Sequence, residues 1–159
     1  VAVRIGQLDD SSLRARVVGK TRRVVVASPG YLAKHKKPRS PADLGAHALI
    51  HFSSLGLAPE WRFQRAGEEQ RVAIQPAFVT NSAEVALAHA ERGFGLAMAL
   101  GYQAAEAVRA GRLAVVLAKH EAPALPIQLV YPAARLGSAA LRAFVELCAS
   151  TREWSFVDL

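Results

Sequence analysis

The stretch from Ala77 to Ala99 places the tightest limit on what this chain can fold into. Ala77 to Thr80 is a short β-like run, and Asn81 or Ser82 suits a helix N-cap. Val85, Ala86, Leu87 and Ala90 then recur at helical spacing. Gly93 closes the helix, and Phe94 to Ala99 (FGLAMA) predicts a buried strand by its composition. The same alternation runs through much of the chain. VAVRI at 1–5 reads as a strand ended by Gly6 and a polar turn. LRARVV and RRVVVA read as two strands joined at Gly19-Lys20, and Val24 to Val26 favour a strand because β-branched side chains pack well on a pleated surface.

Ser28-Pro29 suits the N-cap and first position of a short helix through Tyr31 and Leu32. A basic, proline-containing loop follows at 34–41, then one helical turn in PADLGAH and a strand from Ala48 to Phe52. Trp61 to Gln64 and Arg71 to Ile74 flank Ala66-Gly67 as a hairpin, with Glu68 and Glu69 in its turn. Tyr102 to Ala110 reads as a helix, Leu113 to Leu117 and Ile127 to Tyr131 as strands. Ser138 caps a last helix with Leu141, Phe144, Val145 and Cys148 on or near one face, and the tail 151–159 shows no clear pattern. Strands alternating with helices, with a hairpin inserted, predict an α/β fold with a mixed sheet.

The 159 residues are 52% hydrophobic and 21% charged, which supports a packed core and argues against wholesale disorder. The chain opens at Val1 inside a predicted strand, so it is expected to be a fragment of a longer protein. The net charge of +7 gathers in two stretches: Arg14, Arg16, Lys20, Arg22 and Arg23, then Lys34, Lys36, Lys37 and Arg39. Such a balance permits contact with nucleic acid or other anions, and equally describes solvated faces. Cys148 alone cannot form an internal disulfide or a cysteine-based zinc site, and its apolar surroundings predict a buried thiol. No apolar run is long enough to span a bilayer, no signal peptide is visible, and a cytoplasmic setting is expected.

Catalytic patterns are missing. His35, His47, His51, His89 and His120 share no metal-binding spacing on one helix face, and no carboxylate pair is placed for acid–base work. Nucleophile-elbow, P-loop and dinucleotide-binding motifs are absent too. Neither an enzyme, nor a metal, nor a cofactor is expected.

Several phrases, in their order and spacing, resemble the effector-binding domain of LysR-type transcriptional regulators. They are LRARVVGKTRRVVVASPGYLAKH, PADLGAHALIHF, TNSAEVALAHAERGFGLAMAL and LAVVLAKHEAPALPIQLVYPAARLGSAALRAFVELC. The resemblance runs from Val1 to about Ser150. It implies two α/β lobes joined by crossing strands, similar to the type 2 periplasmic binding proteins, with a small effector in the cleft between them. Carried onto this chain, the second lobe spans 27–122, complete, and the crossings lie at 23–27 and 126–131. The first lobe is partial, with 1–22 as one fragment and 132–150 as its return helix. The resemblance also implies that DNA is held by a segment outside this chain, that the protein forms homo-oligomers, and that the helix Ala83 to Arg92 is a candidate interface. A lobe of a periplasmic solute-binding protein is the rival reading, because the fold is shared.

The candidate effector site follows from the same alignment of phrases. Thr80, Asn81 and Ser82 lead into a helix N-terminus, where unpaired N–H groups favour a carboxylate, and the resemblance implies that this edge faces the cleft. Simple N-capping uses the same geometry. Ser28 stands in the same position before another helix, as cap or as contact. Phe52 could wall the cleft or belong to the core. Gly95 is expected to permit close backbone approach, and Arg4 to face solvent or pair with an acidic effector.

Overall fold

The computed structural model describes residues 1–7, 13–55, 58–133, 138–151 and 154–156, the side chains of the last two excepted. The chain divides into two compact units, the first comprising 1–21 and 124–158, the second 22–123. In the first, β1 (Ala2–Ile5), β2 (Leu13–Thr21) and β10 (Leu125–Pro132) form a sheet in which β10 lies between the other two, antiparallel to both. Helix α4 (Ala139–Ser150), capped by Ser138, covers one face through Val145, which packs with Leu129 and Tyr131.

Details of this unit depart from the pattern read in the sequence. Gly19 and Lys20 do not turn; they continue β2 as one nine-residue strand. A Cβ at Gly19 would collide with the backbone of Trp154, so the glycine admits a close chain neighbour instead. That neighbour belongs to the tail, where β11 (Ser155–Phe156) pairs in parallel with Lys20 and Thr21. Phe144 is 48% exposed and faces away from the core, because the buried stripe of α4 runs through Leu141, Val145 and Cys148. Cys148 is only partly buried. The polar turn after Gln7 and most of the tail lie outside the described residues.

The second unit is built on a five-stranded sheet in the order β7 (Phe78–Thr80), β4 (Leu49–Phe52), β8 (Leu96–Leu100), β3 (Arg23–Ala27) and β9 (Ala114–Val116). Strands β7 and β8 lie on either side of β4 and both run parallel to it, and α2 (Ala83–Glu91) is the crossover that carries the chain from β7 to β8. β3 runs antiparallel to β8 and β9. The strand read as a crossing at 23–27 is therefore a full member of this sheet, and that at 126–131 a full member of the first unit's sheet.

Both faces of the five-stranded sheet are covered. Val24, Val26, Ile50, Phe52, Ala97 and Ala99 face α2 and α3 (Gly101–Arg109). Val25, Ala27, Leu49, Leu96 and Met98 face Tyr31 of α1 (Pro29–His35) and Trp61 and Phe63 of the hairpin. Successive strand residues point to opposite faces, so a strand covered on both sides reads as a continuous apolar run, as LAMAL of β8 does. Phe94 lies before that strand and is 61% exposed, so the strand starts two residues later than its composition suggests. The hairpin pairs β5 (Glu60–Arg65) with β6 (Glu68–Ala73) through Ala66 and Gly67, both at positive φ, as a tight two-residue turn requires. Glu68 and Glu69 belong to β6 rather than to the turn.

Candidate functional site

Strand direction decides which candidate residues meet. Phe52 ends β4 opposite Thr80 at the end of β7, and Arg23 begins β3 opposite Leu100 at the end of β8. Phe52, Thr80, Leu100 and Arg23 thus share one edge, the carboxyl edge of the parallel strands. Ser28 follows the last residue of β3, the strand that runs the other way, and Gly95 precedes the first residue of β8. Both sit at the opposite edge. The structure brings Phe52, Thr80, Asn81 and Ser82 together and leaves Ser28 and Gly95 apart from them, because Ser28 follows the end of a strand antiparallel to β8 and Gly95 precedes the start of β8.

At the far edge, Ser28 is buried and its hydroxyl accepts from the Tyr31 N–H at 3.2 Å, capping α1. Gly95 has φ +150°, and a Cβ there would run into the carbonyl of Ala48, whose oxygen accepts from the Leu96 N–H at 2.9 Å. Its part is close packing, as its sequence context implies.

At the carboxyl edge the polar corner is held by its own members. Ser82 Oγ accepts from the Val85 N–H at 3.3 Å, capping α2, and Thr80 Oγ1 accepts from the Ser82 N–H at 3.1 Å. The hydroxyls of Ser53 and Ser54 donate to the carbonyls of Thr80 and Asn81 at 3.3 and 3.1 Å. Phe52 is buried in the helix-side core and also reaches the wall of a cavity beside this corner.

That cavity has a volume of about 130 Å³ and lies within the second unit, walled by Arg23, His51, Phe52, Leu55, Trp61 and Met98. His51 is 4% exposed, and both its ring nitrogens are buried without a hydrogen-bond partner. Buried polar groups of this kind are nearly always paired, so the unpaired imidazole sets this space apart from the rest of the core. Arg23 forms no side-chain hydrogen bond or ion pair among the described residues. Burial, and then the nearby Arg62 guanidinium, push its pKa below the usual arginine value against the opposing pull of Glu69. Two guanidinium groups, Arg23 and Arg62, the Glu60 carboxylate and one imidazole therefore line a small space with mixed polar and apolar walls.

Neither Arg23 nor His51 stands out in the sequence. Arg23 is one of a run of basic residues, and His51 is one of five histidines in an otherwise apolar strand. The only signal is alternation: Leu49 and His51 share a face, opposite Ile50 and Phe52. A polar residue on a strand buried on both sides is the anomaly. Next to the cavity edge, Arg22 and Glu121 form an ion pair at 2.7 Å that ties the start of β3 to the end of the second unit. Among the described residues, no three His, Cys, Asp or Glu side chains gather as a metal site. Glu60 is near Arg62 and Arg71, and no second carboxylate joins it in the cavity wall.

Comparison with known proteins places the chain. The LysR substrate binding domain family matches residues 1–152. The regulator CrgA of Neisseria meningitidis serogroup C is 32% identical over 147 residues, covering 92% of this chain and 49% of that protein. PtxR of Pseudomonas aeruginosa is 31% identical over 146 residues, covering 92% and 47%. Among solved structures, the CrgA regulatory domain superposes with a TM-score of 0.77 at 30% identity, over 92% of this chain and 72% of that one. A full-length AphB variant gives 0.83 at 25% identity, over 94% and 51%. The chain belongs to the LysR substrate-binding domain family, with the fold of the type 2 periplasmic binding proteins. It spans about half the length of the regulators it matches, and nothing in these likenesses favours a periplasmic transport role. Among the described residues, no helix is long and apolar enough to cross a membrane.

Proposed function

We propose that this chain is the ligand-sensing part of a cytoplasmic, non-enzymatic LysR-type regulator, and that its second unit contacts a small anionic effector through the Arg23–His51 cavity. The observation that carries this is the buried, unpaired imidazole of His51 beside the Arg23 guanidinium on a space of about 130 Å³. An engineered apolar cavity of about 150 Å³ accepts benzene, so this one suits a single ring or a short-chain acid. The carboxylate pairs with Arg23, the body of the effector lies against Trp61 and Met98, and His51 donates to or accepts from a second polar group. The Thr80–Asn81–Ser82 corner borders the site through Phe52 and holds the strand end in place.

A sensor also needs an effector that favours one of two arrangements of the protein, since equal affinity for both shifts nothing. The larger protein carries the DNA-binding part and assembles as an oligomer, with α2 at an interface where Val85 is exposed. Light scattering of this chain is expected to show a species larger than a monomer.

The test is thermal melting against small aliphatic and aromatic carboxylates at millimolar concentration. A ligand at a hundred times its Kd stabilises the folded state by about 2.7 kcal/mol. A selective rise in melting temperature, lost in Arg23→Gln and His51→Leu but kept in Ser82→Ala, is the expected result. A rise that survives both cavity substitutions places the site elsewhere.

A further inference from the structure

The basic stretch at 34–39 takes no part in the effector site. Around it lies an open depression of about 1050 Å³, lined by His35, Lys36, Lys37, Arg39, His47 and Lys119. Lys119 comes from far along the chain. It is brought here because His120 Nε2 meets the Arg39 carbonyl at 3.2 Å, fastening the turn Ala118–His120 onto the loop.

These cations differ from five arginines of the molecule in what they touch. Arg16, Arg22, Arg62, Arg71 and Arg112 each lie within ion-pair distance of a glutamate. Lys36, Lys37, Arg39 and Lys119 are exposed, and none forms a side-chain ion pair or hydrogen bond among the described residues. The one carboxylate in the lining, Asp43, is already engaged by the N–H groups of Arg39 and Ser40 at 2.7 and 2.9 Å, which hold it below the usual carboxylate pKa. His35 stacks on Tyr31 at 4.3 Å, and the Tyr31 hydroxyl meets His47 Nδ1 at 3.3 Å, so these three side chains form a connected floor. Burial, and then the neighbouring His35, keep the His47 pKa below its ordinary value. Lys36 itself sits at φ 57° and ψ 152°, outside the left-handed helical region and in one that is close to glycine's alone.

We propose that this depression is a docking surface for the phosphate backbone of duplex DNA. Four unpaired, exposed cations spread around a wide, shallow space do not enclose one small anion, which a site would clamp with partly buried, hydrogen-bonded groups. They match an array of charges, and duplex DNA presents one about every 1.7 Å along its axis. The surface also lacks exposed aromatic rings between its cations, as Tyr31 is buried, so it lacks the stacking platforms of single-strand binders. The contact is independent of sequence and supplements the separate DNA-binding segment of a LysR-type regulator, in place of the expectation that DNA is held only there.

The experiment is fluorescence anisotropy of a labelled duplex of about twenty base pairs titrated with this chain over a series of salt concentrations. Lys36→Glu/Lys37→Glu/Lys119→Glu is compared with a charge-matched control, Arg14→Glu/Lys20→Glu/Arg109→Glu. The first set is expected to weaken binding at least about tenfold at low salt and to flatten the log–log salt dependence by about three, against about one or less for the control. Lys36→Gly, which removes one charge and the backbone strain together, is expected to melt no lower than the parent and still bind the duplex more weakly. Equal losses in the two triple variants would mean that net charge alone attracts DNA and would overturn the proposal. So would tight binding of tripolyphosphate by a parent chain that does not bind the duplex.

Discussion

At the carboxyl edge of the five-stranded sheet, the Thr80–Ser82 corner and the Arg23–His51 cavity are neighbours that treat their polar groups in opposite ways. In the corner, hydroxyls, carbonyls and amides satisfy one another, and the result is a capped helix and a fixed strand end. In the cavity, an imidazole with both nitrogens unpaired and a half-buried guanidinium face a space. Pairing gives stability, and the proposed effector site rests on its absence. A polar corner at a helix N-terminus draws attention in a sequence because its residue types are familiar, yet its hydrogen bonds are largely spent within the fold.

Gly95→Ala has the largest expected effect and tests whether that glycine belongs to either region. Its Cβ meets the Ala48 backbone in a conformation that side chains rarely adopt, so the loss of stability should be at least about 3 kcal/mol by urea denaturation. A loss below about 1 kcal/mol would free Gly95 from its packing role.

His51→Leu comes next, and its sign is the informative part. Removing an unpaired buried polar group should stabilise the chain by about 1–2 kcal/mol while abolishing any carboxylate-induced shift in melting. If the chain is instead destabilised, His51 has a partner in the native state and the contrast with the corner fails. Ser82→Ala should do the reverse, costing about 1 kcal/mol through the lost cap and leaving effector response intact.

The smallest effect concerns pH. Burial and His35 depress the His47 pKa in the folded chain below its ordinary 6.5, so the unfolded chain binds the proton more tightly. Its contribution to stability is therefore present above that ordinary value and lost as pH falls through the depressed one. His47→Gln should flatten the decline of the urea midpoint on acidification. An unchanged profile would assign the decline to other groups.

Much of the fold was legible before the structure. Ser82, Ser28 and Ser138 were readable as caps because short hydroxyl side chains suit exposed amides at helix starts, and all three accept the expected N–H. Ala66-Gly67 was readable as a hairpin. The misreadings share a cause. Gly19-Lys20 looks like a turn because glycine is usually placed for conformation, whereas here it yields space to a chain segment more than a hundred residues away. Phe94 and Phe144 look buried because composition carries no direction, and each points outward.

Local residue order specifies the periodicities, the caps, the family and the polar residue types at the strand ends. Those depend on residues within a few positions of one another, or on an order of phrases that needs no coordinates. Only the tertiary structure decided that β3 runs against β8, which sends Ser28 to one edge and Arg23 to the other. It also decided that Trp61 and Met98 line one cavity with His51, and that Lys119 joins the loop at 36–39. Strand direction and long-range packing depend on which distant segments bury each other's apolar faces, and no local pattern encodes that choice.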